Sequence, residues 1–256
     1  MNAREPGSAD DYLGAFRRLS GVLPGQQLDW LRQARAEAIG RFVQQGFPTQ
    51  RDEDWKYTNI AGIEKGRFNV LPALCPEFLA AQVNTHALPD SHLLVFVNGR
   101  LEPELCRPGR LPHGVVLSSL AYRFDQNPEG LEEALVVFHP SSAFTDLNLA
   151  FMADGAYVHL PPGAIVKAPI QLLFIATEAG LAIQPRNLVL AEAGSSASIV
   201  EHHVALRESS YFTNAVSEIV LGQGATIEYH KLQQESLTAF HIATVNVKQA
   251  AKSHFI

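Results

Sequence analysis

At 256 residues, 46% of them hydrophobic and 18% charged, the chain can form one large domain or two smaller ones; a chain of this size buries roughly three quarters of its unfolded surface and needs no disulfide or metal to fold. Its two cysteines, Cys75 and Cys106, have no CxxC partner, which argues against a secreted disulfide framework or a cysteine-rich zinc site and fits a reducing cytoplasm. The net charge of −6 is unevenly placed, +1 over residues 1–67 and −7 over residues 68–256, so the acidic part has no basic stripe and nucleic acid is set aside as a ligand.

Met1 to Asp11 is polar, without the apolar stretch of a signal peptide. No run approaches the roughly 20 apolar residues of a membrane span. The expectation is a cytoplasmic protein with no membrane contact. Residues 1–67 read as helical. Asp10 or Asp11 caps a short helix through Leu19, with Tyr12, Phe16 and Leu19 on one face. Leu23-Pro24-Gly25 breaks it. A second helix is predicted from about Gln27 to Gln45, where Leu28, Leu31, Arg35, Ile39 and Phe42 form one stripe with Arg35 as its only charged member. Gly46 and Pro48 end it. Arg51 to Asn59 is dense in charge and aromatics and lacks a period. Ala73 to Val83 suggests one more short helix.

The grammar changes at residue 92. His92 to Val97 is a strand, and Asn98-Gly99 signals a tight turn. Val115 to Leu120 is another strand, Glu129 to Phe138 leans to helix, and Ser141 to Ala150 is a loop or helix. From Ala156 strands follow in quick succession. Gly163, Gly194 and Gly224 recur at near-constant intervals, each between β-prone runs. A turn repeated at fixed period suggests coils that stack on one another. Val158, Val189 and Ile219 are predicted to fill one interior column. The reading is a mainly β fold, a right-handed parallel β-helix (solenoid) preceded by an N-terminal α-helical region. The boundaries are residues 1–85 for the helical region and 86–256 for the β-helix core.

At this point four stretches carry a resemblance. They are Arg51-Asp-Glu-Asp-Trp-Lys-Tyr-Thr58; Leu147 to Ala150 with Asp154-Gly155, Pro161-Pro162-Gly163 and Ala168-Pro169-Ile170; Pro185 to Leu188 through Ile199 to His202; and Tyr211 to Asn214, Glu218-Ile219 and Ile227 to Gln233. In this order they resemble the SufB/SufD scaffold family of the SUF iron–sulfur cluster assembly machinery, the first stretch matching its SufD branch. The resemblance implies a non-catalytic scaffold that pairs with SufB and SufC, with the cluster handled by the parent complex and no cofactor held by this chain. Family members continue past Ile256 with further coils and C-terminal helices, so the chain is expected to be a truncated part, one that could form a homodimer. The family's SufC contact and cluster-site residues lie mostly in that later portion, and none maps onto this sequence.

The residues themselves offer three further readings. His202 and His230 fall on adjacent coils and on one strand face, though in different columns, and are weak candidates for a metal; neighbours His202 and His203 point to opposite faces. Glu201, Glu218, Glu228 and Glu235 are expected to line a solvated outer face. Arg51, Glu53, Trp55, Lys56 and Tyr57 either anchor the helical region or form a docking surface for a SUF partner. The alternative function is a β-helix carbohydrate-active enzyme, which requires clustered Asp, Arg and Lys and usually a secretory signal. A hexapeptide-repeat acyltransferase would require a six-residue aliphatic period, and none is found.

Overall fold

A computed structural model describes residues 9–66, 68–70, 80–136 and 141–256. The chain opens with α1 (Ala9–Leu19) and α2 (Asp29–Gln45), then α3 (Ala61–Lys65) and α4 (Ala80–His86). Gly46, at φ 71°, ends α2 with its N–H on the Phe42 carbonyl. The described part of the helix expected over Ala73–Val83 is α4; Cys75 lies outside the described residues. The hairpin of β1 (His92–Val97) and β2 (Arg100–Leu101) turns at Asn98-Gly99, both at positive φ. β3 (Val116–Ser119) leads into α5 (Leu120–Gln126), α6 (Leu131–Val136) and α7 (Ala143–Phe151). Ser142 caps α7 by a reciprocal exchange with Thr145.

The rest is strand: β4 (Ala156–Leu160), β5 (Ile170–Ala176), β6 (Ala182–Ile183), β7 (Arg186–Ala191), β8 (Ser196–Ala205), β9 (Phe212–Leu221), β10 (Thr226–Gln234), β11 (Phe240–Gln249) and β12 (His254–Phe255). They wind as a β-solenoid of about three turns. One sheet runs β12-β10-β8-β5-β1-β2 and the other β11-β9-β7-β4-β3. Successive coils pair in parallel: Ile170 with Ile199, Thr226 with Ser196, Val216 with Arg186. β1 joins the stack beside β5, with His92 opposite Ile170, although the chain makes its helical excursion between them.

Turns 161–164, 192–195, 222–225 and 250–253 close each coil on one edge. Gly163, Gly194 and Gly224 sit at φ 71°, 67° and 69°, the left-handed region that a Cβ disfavours. Each donates its N–H one turn onward, to the carbonyls of Ala193, Gln223 and Ala251, at 2.9, 2.9 and 3.1 Å. The fourth turn was not marked by glycine: Lys252 occupies the equivalent place at φ 60° and is exposed. Lys252→Gly is therefore expected to stabilise the chain by about 1 kcal/mol, read from its denaturation midpoint at unchanged slope.

Two apolar cores lie on either side of the β11-β9-β7-β4-β3 sheet. Between the sheets, Val158, Val189 and Ile219 stand in one register column and are each at most 1% exposed, as expected from the repeat. On the outer face, Phe42, Phe144, Leu147, Phe151 and Phe212 join α2 and α7 to the sheet. Burying each such side chain stabilises by about 1.5–3 kcal/mol. Arg35, the charged member of the α2 stripe, is 1% exposed and donates to the carbonyls of Pro24 and Met152. Burial lowers its pKa to about 10.

A polar seam fixes α7 against the sheet. Asn148 Nδ2 donates to the carbonyls of Pro185 and Asn214, both at 2.9 Å, and Asn214 Nδ2 donates to the Phe144 carbonyl at 2.8 Å. Arg186 Nη1 donates to Asn148 Oδ1 at 3.1 Å, and Arg186 pairs with Glu218; neither side chain is more than 1% exposed.

Candidate functional site

The alternation that puts Ala197 and Ile199 of β8 inside the solenoid also puts Glu201 and His203 there. Register then stacks unlike residues. Leu94, Leu172, Glu201 and Lys231 share one column, and Phe96, Phe174, His203 and Gln233 share the next. The interior is apolar in the first coils and becomes charged from β8 onward. Phe96 stacks on Phe174 at 4.8 Å, and Phe174 on His203 at 4.8 Å, with ring planes within 15°.

Glu201 is the hub. Its Oε1 accepts from Lys231 Nζ at 2.6 Å and from His203 Nε2 at 2.7 Å. Its Oε2 accepts from Ser217 Oγ at 2.8 Å, from the Tyr229 hydroxyl and, more weakly, from Asn187 Nδ2 at 3.4 Å. The carboxylate is 0% exposed. Burial by itself would raise its pKa, but the bonds and charges of His203 and Lys231 outweigh it and hold the group well below the usual carboxylate range. Burial lowers the His203 imidazole, against the upward pull of Glu201. The Tyr229 phenol rises well above its ordinary value, through burial first and the Glu201 charge second.

A second acid stands beside this hub. Glu235 Oε1 accepts from Tyr211 Oη at 3.1 Å and from Thr213 Oγ1 at 3.3 Å, and its Oε2 from Gln233 Nε2 at 3.3 Å. His241 Nδ1 lies 2.6 Å from Glu235 Oε2. Burial would raise the Glu235 carboxyl, yet His241 leads the groups that bring it down to about 2. His203, Glu235 and His241 offer ligand atoms that all lie within 4.8 Å of one another.

The structure corrects the expectation that the glutamates line a solvated face. Glu228 is exposed, but Glu201 and Glu218 are buried and the Glu235 side chain is 9% exposed. Glu201 is inside by strand alternation; Glu218 points outward and is buried against Arg186, which Asn148 of α7 holds. The parity of the apolar residues Ala197 and Ile199 carried the signal for Glu201 and His203. Nothing local marked Glu218.

His202 faces away from the interior. It is bonded to Gln234 Oε1 at 2.9 Å and to Gln171 at 3.3 Å, and burial lowers its pKa. His230 is exposed and pairs in register with Val200, so it shares a face with His202 but not a column. Neither belongs to the three-ligand group. Cys106 is half-buried, and burial raises its thiol.

In the Arg51–Thr58 stretch a single 3-10 turn spans Glu53–Trp55. Trp55 packs on Phe144 with centroids 5.1 Å apart, whereas Tyr57 is 90% exposed with Lys56 above its ring. Arg51 and Glu53 are exposed. A hollow of about 520 Å³ borders Asp52, Glu53, Asp54 and Trp55. Among the described residues no helix is long and apolar enough to cross a membrane.

Comparison with known proteins agrees with this architecture. Residues 7–172 match the SufBD protein N-terminal region, and residues 174–256 match the SufBD core domain of SUF system FeS cluster assembly. An iron–sulfur cluster assembly SufBD family protein of Synechocystis is 31% identical, over 88% of this chain and 51% of its own length. The chloroplastic protein ABCI7 of Arabidopsis thaliana is 27% identical, over 97% of this chain and 52% of its own. The iron–sulfur cluster assembly protein SufD of Escherichia coli is 27% identical, over 80% and 47%. The chain thus spans about half the length of the curated relatives it matches. With consecutive matches running from residue 7 to residue 256, through the helical region and the β-solenoid, the chain belongs to the SufBD family of the SUF iron–sulfur cluster system.

Proposed function

We propose that the chain is the N-terminal and central part of a SufD-like, non-catalytic scaffold in iron–sulfur cluster assembly, acting in the cytoplasm with SufB and SufC. The observation that carries this reading is the pair of family matches laid end to end on a stiff solenoid. In this reading the iron–sulfur cluster is cargo, built where the scaffold meets its partners, and the rod transmits the motion of an ATPase partner to that junction. The polar interior keeps the central coils in one register, because a slip of one residue would turn Glu201 and His203 outward and apolar neighbours with them.

The Arg51–Tyr57 stretch divides into two parts on this reading. Trp55 anchors the helical region, and Tyr57, with Lys56 over its ring, offers an aromatic anchor for a partner. Co-expression of the chain with SufB and SufC from the same genome should yield a complex that survives affinity capture and size exclusion. Tyr57→Ala should weaken capture about tenfold or more and leave the melting temperature of the isolated chain unchanged. Separate elution of the three proteins would overturn the scaffold reading; wild-type capture by Tyr57→Ala would overturn the docking assignment.

A further inference from the structure

We propose that His203, Glu235 and His241 form a binding site for one first-row divalent cation of borderline softness inside the solenoid. Two imidazoles and one carboxylate are a donor set suited to zinc, ferrous iron or cobalt. Ligand atoms around one such ion, at bonds of about 2.1 Å, lie about 3–3.5 Å apart. The three groups, within 4.8 Å of one another, need a movement of about an ångström to close on it.

The surrounding bonds orient each donor. Glu201 is fixed as an acceptor by Lys231, Tyr229 and Ser217, so His203 must donate its Nε2–H to it. That tautomer leaves the Nδ1 lone pair of His203 for a metal, and it is the carboxylate–histidine arrangement that commonly stands behind metal ligands. Glu235 is held from behind by Tyr211 and Thr213. His241 Nδ1 faces Glu235 Oε2 at 2.6 Å, while its Nε2 is buried with no hydrogen-bond partner among the described residues. A buried ring nitrogen in that condition costs stability until a ligand engages it. A cavity of about 10 Å³ borders His203, Thr213 and Glu235 on the side lined by Phe174 and Ile183, close to the room that one small ion or water occupies. Phe174, stacked on His203, forms the floor beneath that ring.

The test uses the isolated chain, stripped by a chelator and titrated with Co²⁺ while the visible d–d absorbance is followed. One ion per chain is expected, with His241→Ala and Glu235→Gln each weakening the affinity at least tenfold and His230→Ala leaving it unchanged. Zn²⁺ should raise the melting temperature of the wild type and not that of His241→Ala. Because a variant could also fail to fold, imidazole NMR signals of the wild type supply a second readout: Zn²⁺ should shift those of His203 and His241. Absence of Co²⁺ uptake by the wild type, equal uptake by the two site variants, or shifts confined to His202 and His230 would each overturn the site. The proposal is separable from the scaffold reading, since metal uptake is measured with no partner present.

Discussion

Glu201→Ala is expected to lower the free energy of unfolding by about 3–5 kcal/mol, the usual cost of removing one partner from a buried charge pair. The substitution leaves the Lys231 ammonium and the His203, Tyr229 and Ser217 donors facing an emptied interior. Leu172 below Glu201 in the column cannot accept from any of them. Denaturant titration measures the change, and a loss under about 1 kcal/mol would show that the hub does not hold the coils together. The effect should also depend on pH. The folded-state pKa of Glu201 lies below that of an unfolded glutamate, so its contribution is complete above about pH 5 and is lost as pH falls through the folded value. Glu201→Gln, which does not ionise, should flatten the acid limb of the stability curve relative to wild type.

Arg186→Ala should cost a similar amount, about 3–5 kcal/mol, for a different reason. It removes the countercharge of Glu218 and the bond to Asn148 that helps seat α7. Replacing the pair together, Arg186→Met with Glu218→Leu, should recover most of this loss and reach within about 1 kcal/mol of wild type, because taking two charges out of water offsets much of their attraction. If the double variant stays as unstable as the single one, the seam acts through the directed bonds to Asn148 and not through charge compensation. Near-ultraviolet circular dichroism separates the two cases, since release of α7 would free the ring contacts between Phe144 and Trp55 and between Phe144 and Phe212.

The coils were legible because their signals are local. A glycine turn at regular intervals and branched residues at matching places are enough to predict the column of Val158, Val189 and Ile219. The turn at Lys252 was invisible because a lysine there spends strain that a glycine would not. The interior charges were harder to find. Strand alternation says only that Glu201 and His203 share a side with Ile199; it does not say that four donors from other strands converge there. Those partners, Asn187, Ser217, Tyr229 and Lys231, belong to strands β7, β9 and β10 and meet only when the coil closes. Glu218 is further from sequence reasoning still, since its burial depends on Arg186, held by an α7 that precedes it by a whole coil and more. The Arg51–Thr58 stretch was readable as a signature, but its division into an anchored Trp55 and an outward Tyr57 depends on where Phe144 lies.

The four closures on one edge of the solenoid are all of one length, 161–164, 192–195, 222–225 and 250–253, whereas the opposite connections are unequal, 177–185, 206–211 and 235–239. Past the first coil, where two extra residues separate Ile165 from Ile170 relative to Ser196–Ile199, length variation is confined to one margin of the rod. An inserted residue at a glycine closure would break the hydrogen-bond ladder and rotate every following side chain out of alignment, while an insertion at the far margin would only enlarge a bulge. Homologous chains should differ in length along that far margin, and protein engineers seeking a place for a tag or graft should choose it.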